Sequence, residues 1–387
     1  MIDPALPKSA EVIIIGGGVM GASIAYHLAA RGGSGIILLE KEKFFGTGAT
    51  GRCAGGIRYQ FATEINVRLS IASLPMLADF EAEHGQAIDY QECGYLFLLD
   101  NEDDIAQFRK NVELQKRLGV PTEWLSGEEI RQRLPQMRLD DIRAGTFHAR
   151  DGLADPNSVT MGYIRHAAEL GVTALTGIEV LGIFTRSGAV TGVETNLGRL
   201  DAPVVIDAAG PWAGLVGSMA GVEIPITPIR RQMLTTTPLP EIPPEFPFVI
   251  DFSKSLYFHR EGQGLLTGMS NPGEGAGFNQ EIDPDWEVLS LDAAIARLPL
   301  LEKAGRLSHW AGLYEVTPDA HPIFGMTPVR GFYVCAGFSG HGFMHGPVAG
   351  LLMSEIVLDG TSKTVDVSQL DLARFKEGRL VKEYNVI

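Results

Sequence analysis

Four apolar residues, Val12 to Ile15, open the clearest pattern in the chain. It predicts a strand (Glu11 to Ile15), a glycine turn, a helix (Met20 to Arg31) and a second strand (Gly35 to Leu39). Apolar residues then recur at helical spacing over Leu69 to His84 and over Asp103 to Leu118, while Gly94 to Leu99 alternates like a strand. Asp155 followed by Pro156 is an N-cap and first-turn pair, predicting a helix that runs to about Leu170. Strands are expected at Ile178 to Thr185, Val190 to Thr195 and Val204 to Ala208. Short strands should predominate from Pro225 to Ala311, around a proline-rich link at Pro238 to Pro247. A last strand, Gly331 to Ala336, leads through a glycine loop into a helix expected from Pro347 to Leu358.

This alternation predicts an α/β fold. A Rossmann-like dinucleotide domain (1–80, 143–222 and 325–387) is joined to a β-rich, α+β substrate domain (81–142 and 223–324). Both are discontinuous in sequence, and a ligand is expected in the cleft between them. At 387 residues with 45% hydrophobic positions, the chain is long enough for two or three domains with sizeable cores. A net charge of -15 argues against nucleic acid or an anionic lipid surface as partner. The first ten residues hold one lysine and no apolar run, and Val12 to Ala30 is broken by glycines, so neither a secretory leader nor a transmembrane segment is expected. Cys53, Cys93 and Cys335 are odd in number and far apart, which suits neither a disulfide framework nor a zinc pattern; a cytoplasmic protein follows.

Four glycine-rich junctions carry the candidate chemistry. In the first, Gly16 permits a tight turn, Gly18 lets main chain approach a pyrophosphate, and Gly21 packs helix on strand. The helix N-terminus at Val19 and Met20 offers free N–H groups to phosphate. Glu40, with Lys41 beside it, is placed for an adenosine ribose. This motif alone does not separate FAD from a nicotinamide dinucleotide. The second junction, Gly48 to Arg58, combines four glycines with Arg52 and Arg58 in the manner of main chain lying on a flat ligand. In the third, Asp207 to Trp212, small residues at a strand end let a cofactor approach the sheet. The fourth, Gly337 to Met344, lies before a helix whose positive end could stabilise charge on a reduced flavin. His341 and His345 suggest a metal pair, but a third ligand is lacking and the loop reads as glycine-rich rather than helical, so no metal is expected.

In this order the motifs resemble the D-amino-acid-oxidase superfamily of flavoproteins, and within it the sarcosine oxidase and dehydrogenase branch. Pro228 to Gln232, Tyr257 to Arg260 and Gly312 to Asp319 strengthen the likeness, which spans nearly the whole chain. Gly55 to Phe61 looks especially like the β subunits of multi-subunit sarcosine oxidases. That resemblance leaves open a hetero-oligomer with other oxidoreductase subunits or a homo-oligomer. It implies FAD as cofactor and a small amino acid or N-methylated amine as substrate. By its motifs, the cofactor is assigned to Gly16, Gly18, Val19, Met20, Gly21, Glu40 and Lys41, then to Gly48, Ala49, Thr50, Arg52, Cys53, Gly55 and Ile57. Val180, Ala208, Ala209, Gly210, Trp212 and Gly312 follow, with Gly337, Gly340, His341, Gly342, Phe343 and Met344 completing the set.

The likeness also implies that Arg58 pairs with the substrate carboxylate, a role suited to the parallel donors of a guanidinium. Tyr314 then lines the pocket with Tyr257 and His259, and His259, which ordinarily titrates near neutrality, is a candidate for taking the amine proton. The cysteine that anchors FAD in monomeric sarcosine oxidases aligns with Gly312, and the histidine used by dimethylglycine dehydrogenases aligns with Arg52. FAD is therefore expected to be held non-covalently. A lysine that promotes the oxygen reaction aligns near Leu266, favouring a dehydrogenase over an oxidase. Another, which helps hold the carboxylate, aligns with Met344, leaving that task to Arg58 or implying a different substrate. The expected reaction is oxidation of a C–H bond next to nitrogen, giving an imine that hydrolyses, with oxygen or another acceptor taking the electrons. Alternatives are a D-amino-acid or proline dehydrogenase and a non-catalytic FAD-binding subunit.

Overall fold

A computed structural model describes residues 6–386. Residues 1–5, on which part of the leader reading rests, lie outside the described residues. Two large sheets dominate. The first has six strands in the order Ile323–Met326, Phe332–Ala336, Val204–Asp207, Val12–Ile15, Ile36–Glu40, Thr173–Thr176. All neighbours run parallel except Ile323–Met326, which pairs antiparallel at the edge. Val12–Ile15 is buried along its whole length, as a strand covered on both faces must be. The helix Val19–Ala30, which has no charged residue, fills one face between the helices Gly342–Asp359 and Pro156–Glu169. Such a helix is apolar all round because it is buried all round.

The second sheet has eight strands in the order Arg306–Val316, Thr227–Thr236, Gly264–Met269, Leu256–Glu261, Phe248–Asp251, Tyr95–Leu99, Ala144–His148, Glu123–Ser126. Its pairs are antiparallel apart from Phe248–Asp251 with Tyr95–Leu99. A three-stranded sheet spanning Val180 to Asp201 and a two-stranded ribbon joining Gly56–Ile57 to Gly152–Leu153 complete the set.

Sheet membership departs from the expected ranges at two places. Ala144–His148 lies within 143–222 but pairs with Tyr95–Leu99 in the second sheet. Ile323–Met326 begins before 325 yet belongs to the first.

The Asp155 cap is present, its carboxylate accepting from the Ser158 N–H at 2.6 Å, and the helix runs Pro156–Glu169. Two helices differ from expectation. Pro284–Arg297 lies in the region read as short strands; Asp283 caps it by accepting from the Asp285 and Trp286 N–H groups. The last helix starts at Gly342, five residues before the expected Pro347, which sits inside it. Pro347 is tolerated there in a fully buried setting, where Ser23 Oγ donates to its carbonyl at 3.2 Å. No helix among the described residues is long and apolar enough to cross a membrane.

Candidate active site

A cavity of about 430 Å³ runs between the carboxyl ends of the first sheet's central strands and the inner face of the second sheet. At one end lies the first glycine turn. Gly16 has φ +109° and a Cβ there would stand 2.4 Å from the Ala208 carbonyl oxygen, so only glycine fits. Gly18 lines the cavity as the N-cap of the helix, with no side chain closing it. Its first turn is open to an anion, although Thr50 Oγ1 accepts from the Val19 N–H at 3.1 Å. Glu40 accepts from the Gly17 and Glu42 N–H groups at 2.7 and 2.8 Å, which points its carboxylate into the turn. Lys41 Nζ lies 3.7 Å from the centre of the Trp212 ring, and Val180 forms the adjoining wall.

In the middle, the Thr50–Arg52 turn meets the strand Arg306–Val316. Arg52 donates to the Ala311 carbonyl at 2.8 Å and to that of Thr47 at 3.3 Å, while the Trp310 indole donates to the Arg52 carbonyl at 3.1 Å. Gly312 faces Arg52 so closely that a Cβ would come within 3.0 Å of it. Neither position carries a nucleophile. Cys53 lines the cavity, but burial pushes its thiol up to about 11, so it stays protonated near neutral pH.

At the far end, Gly340 rests on the edge of Tyr314: its φ is +94°, and a Cβ would lie 2.3 Å from the ring. His341, Gly342, Phe343 and Met344 follow into the helix and line the cavity. Burial holds the His341 imidazole well below its usual range, and neither ring nitrogen has a partner. Rather than the non-helical glycine loop expected there, His341 caps a true helix whose first turn holds His345. The His345 Nε2 meets Ser70 Oγ at 3.0 Å, and among the described residues no group of three His, Cys, Asp or Glu could hold a metal.

Arg58, Tyr314 and Tyr257 come together at this end. Burial raises both phenols, so they are neutral. The Arg58 guanidinium is buried, lies 4.0 Å over the Phe61 ring, and donates to the carbonyls of Gln60 and Asn385. His259 does not belong with them. It is not on the cavity wall; it stacks on Phe248 with ring centres 4.9 Å apart, and its Nδ1 donates to the Arg260 carbonyl at 2.8 Å. Burial lowers it to about 4, so it is neutral and out of reach of an amine. Three further assigned residues also lie off the wall. Gly21 packs helix on strand, Ile57 is in the core, and Gly337 turns the chain at φ +84° against Thr317.

Wall residues that the sequence left unassigned include Arg231, Met233, Phe248 and Glu315. Glu315 follows Tyr314 in the Gly312 to Asp319 segment, where a carboxylate among Ala311, Gly312, Leu313, Tyr314 and Val316 is the available signal. Its Oε1 accepts from the Phe338 N–H at 3.2 Å, Oε2 has no partner, and burial pushes the carboxyl up to about 7. Beside it Asp207, fully buried at the end of its strand, is held well above the usual carboxylate range by the same cause.

An elongated dinucleotide fits this cavity. One end is an open helix N-terminus cradled by glycines, and the middle is bare main chain at Gly312 and Gly55. Glu315 Oε2, near Gly210 and Asp207, and both His341 nitrogens at the other end have no partners inside the protein. Comparison with known proteins agrees. Residues 11–356 match the family model "DAO: FAD dependent oxidoreductase". Mitochondrial sarcosine dehydrogenase of Mus musculus is 31% identical over 96% of this chain, but the chain spans only 42% of that protein. FAD-dependent oxidoreductase domain-containing protein 1 of Mus musculus is 30% identical, covering 98% of this chain and 88% of its own. Among solved structures, L-proline dehydrogenase from P. horikoshii superposes with a TM-score of 0.90 at 33% identity, over 97% of this chain and 100% of the other. The cradle, the cavity and these matches lead to one conclusion: the chain belongs to the DAO family of FAD-dependent oxidoreductases.

Proposed function

We propose that the protein oxidises a C–H bond next to nitrogen in a small carboxylated amine of the sarcosine type, giving an imine that hydrolyses. The observation that carries this reading is Arg58, a buried cation facing the cavity end farthest from the pyrophosphate turn, without a carboxylate of the protein in ion-pair contact among the described residues. A buried charge needs a counter-charge, and a substrate carboxylate supplies one. Non-covalently held FAD would supply the hydride acceptor. Gly16, Gly18 and Glu40 would hold its pyrophosphate and ribose, and the Gly340–Met344 turn its ring.

The groups around Arg58 do little acid–base work. Tyr257 and Tyr314 are neutral phenols, and His341 is a neutral imidazole. The protein's part is to orient the carboxylate at Arg58, exclude water with Tyr257, Tyr314 and Met233, and accept the amine in its uncharged form. Leu266, buried and apolar behind Tyr257, puts no ammonium group there, which supports a dehydrogenase. A cyclic secondary amine such as proline presents the same groups. The resemblance to L-proline dehydrogenase favours it as the second reading.

The test is anaerobic mixing of the FAD-loaded protein with sarcosine, proline and D-alanine, followed by flavin absorbance. Bleaching by a secondary amine is expected. Flavin that stays oxidised with every amine would instead indicate a non-catalytic flavin subunit.

A further inference from the structure

The buried arginines elsewhere in the protein are paired. Among the described residues Arg297 meets Asp251 at 2.7 Å and Arg374 meets Asp319 at 2.9 Å. Arg58 and Arg231 are different: both line the cavity, and neither forms an ion pair among the described residues. Arg231 is the more open of the two. Only its Nη1 has an internal partner, the Arg230 carbonyl at 3.1 Å, and its Nε is buried with none. An unpaired buried N–H donor is costly, so the site is built for an acceptor from outside the chain.

Strand register explains how the guanidinium reaches the cavity. Arg231 lies directly opposite Gly312, on the same face of the sheet, the face against which Arg52 packs. Arg230 points the other way, towards Glu274 and Asp283. The Arg231 guanidinium carbon lies 5.0 Å from the centre of the Tyr314 ring, and the charges of Arg231 and Arg58 both act on that same phenol. Two unpaired cations therefore converge on one tyrosine at the substrate end. One carboxylate cannot neutralise both.

We propose that Arg231 is a second carboxylate anchor, so that the preferred substrate is a secondary amine carrying two carboxylates, one for each guanidinium. The inference rests on the amine reading above and narrows its substrate class. A dicarboxylate brings two negative charges to two positive ones. Each planar fork can also bind its carboxylate through two parallel hydrogen bonds.

The test separates binding from turnover, using the FAD-loaded protein and non-oxidisable thioethers in place of amines. Thiodiacetate and the longer thiodipropionate carry two carboxylates; methylthioacetate carries one. Perturbation of the flavin spectrum reports binding. At least one dicarboxylate is expected to bind about ten- to a hundredfold more tightly than the monocarboxylate, the range of one charge-assisted hydrogen-bonded contact. Arg231→Gln should abolish that advantage while leaving methylthioacetate affinity within about twofold, and Arg231→Lys should restore part of it. No advantage for either dicarboxylate, or an equal loss for all three ligands in Arg231→Gln, overturns the assignment. So does an unchanged advantage in that variant, or a shift of flavin midpoint potential without a change in ligand preference. If the dicarboxylate advantage is present but neither iminodiacetate nor sarcosine bleaches the flavin, the amine reading fails while the anchor stands.

Discussion

Replacing Gly21 by alanine should disturb the protein twice, through one added carbon. A Cβ at this position would stand 1.9 Å from the Gly16 carbonyl oxygen and 3.1 Å from Leu38 Cδ1. An ordinary contact needs 3.4 Å, so the helix Val19–Ala30 must move off its strand by about 1.5 Å. Local adjustment is closed off, because the first obstacle is main chain and Leu38 is fully buried. Overpacking of this kind costs about 1–3 kcal/mol, and a backbone obstacle places this case near the upper end. The displaced helix also carries the N–H groups meant for the pyrophosphate. Losing one charge-assisted hydrogen bond weakens FAD by about ten- to a hundredfold. The assay is a fluorescence titration of cofactor-free protein with FAD, together with its thermal unfolding. Gly21→Ala should lower the midpoint by about 3 °C or more and weaken FAD. Gly18→Ala, whose Cβ meets only the Thr50 hydroxyl at 3.0 Å, should weaken FAD with little change in stability. A Gly21→Ala protein that melts normally and binds FAD within twofold of wild type would refute the argument.

Further outcomes follow from other parts of the structure. Glu315 keeps its proton to about pH 7 when folded, against about 4.5 when unfolded, so the folded state holds more protons between those values. Stability of the cofactor-free protein should fall across that window, by about 3 kcal/mol at most, and level off above it. Urea unfolding of Glu315→Gln should lack this part of the slope, and an unchanged pH profile counts against it. Arg374 and Asp319 form a buried pair at 2.9 and 3.0 Å, so Arg374→Met should cost about 3–5 kcal/mol by denaturant unfolding. A loss below about 1 kcal/mol contradicts that accounting. With no nucleophile at Gly312 or Arg52 and a protonated Cys53, acid precipitation should leave all flavin in the supernatant, for wild type and Cys53→Ala alike. Flavin retained in the pellet would show a covalent bond.

Local signals were legible wherever chemistry and secondary structure coincide. The glycine turn, its helix and Glu40 could be read because each residue has a steric or hydrogen-bonding reason of its own. The Asp155–Pro156 cap was equally plain, and Asp283–Pro284 repeats it. The helix it starts was missed because the strands around it set the expected pattern. Pro347 misplaced the start of the last helix, since the proline rule describes isolated helices and this one is held by burial. His259 and Arg231 show the limit of site reading. Both lie on strands of the second sheet, and which face each presents depends on register and strand order. His259 shares the face of Tyr257 but is stacked on Phe248 and kept off the wall, whereas Arg231 faces the cavity. No short motif carries that information.

The strand order of the first sheet bears on how the protein can be made. Val12–Ile15 and Ile36–Glu40 are within the first forty residues, yet the neighbour of Val12–Ile15 on one side is Val204–Asp207, and beyond it Phe332–Ala336. The carbonyl of Ala208 closes the turn at Gly16. During synthesis the fingerprint therefore emerges early but stays incomplete until Ala208, about 170 residues after Glu40, has left the ribosome, and its sheet until Ala336 has followed. Until then its apolar strand edge is unprotected, a state prone to misassociation. A fragment ending before residue 204 would contain every residue of the nucleotide motif and still lack the sheet that holds it.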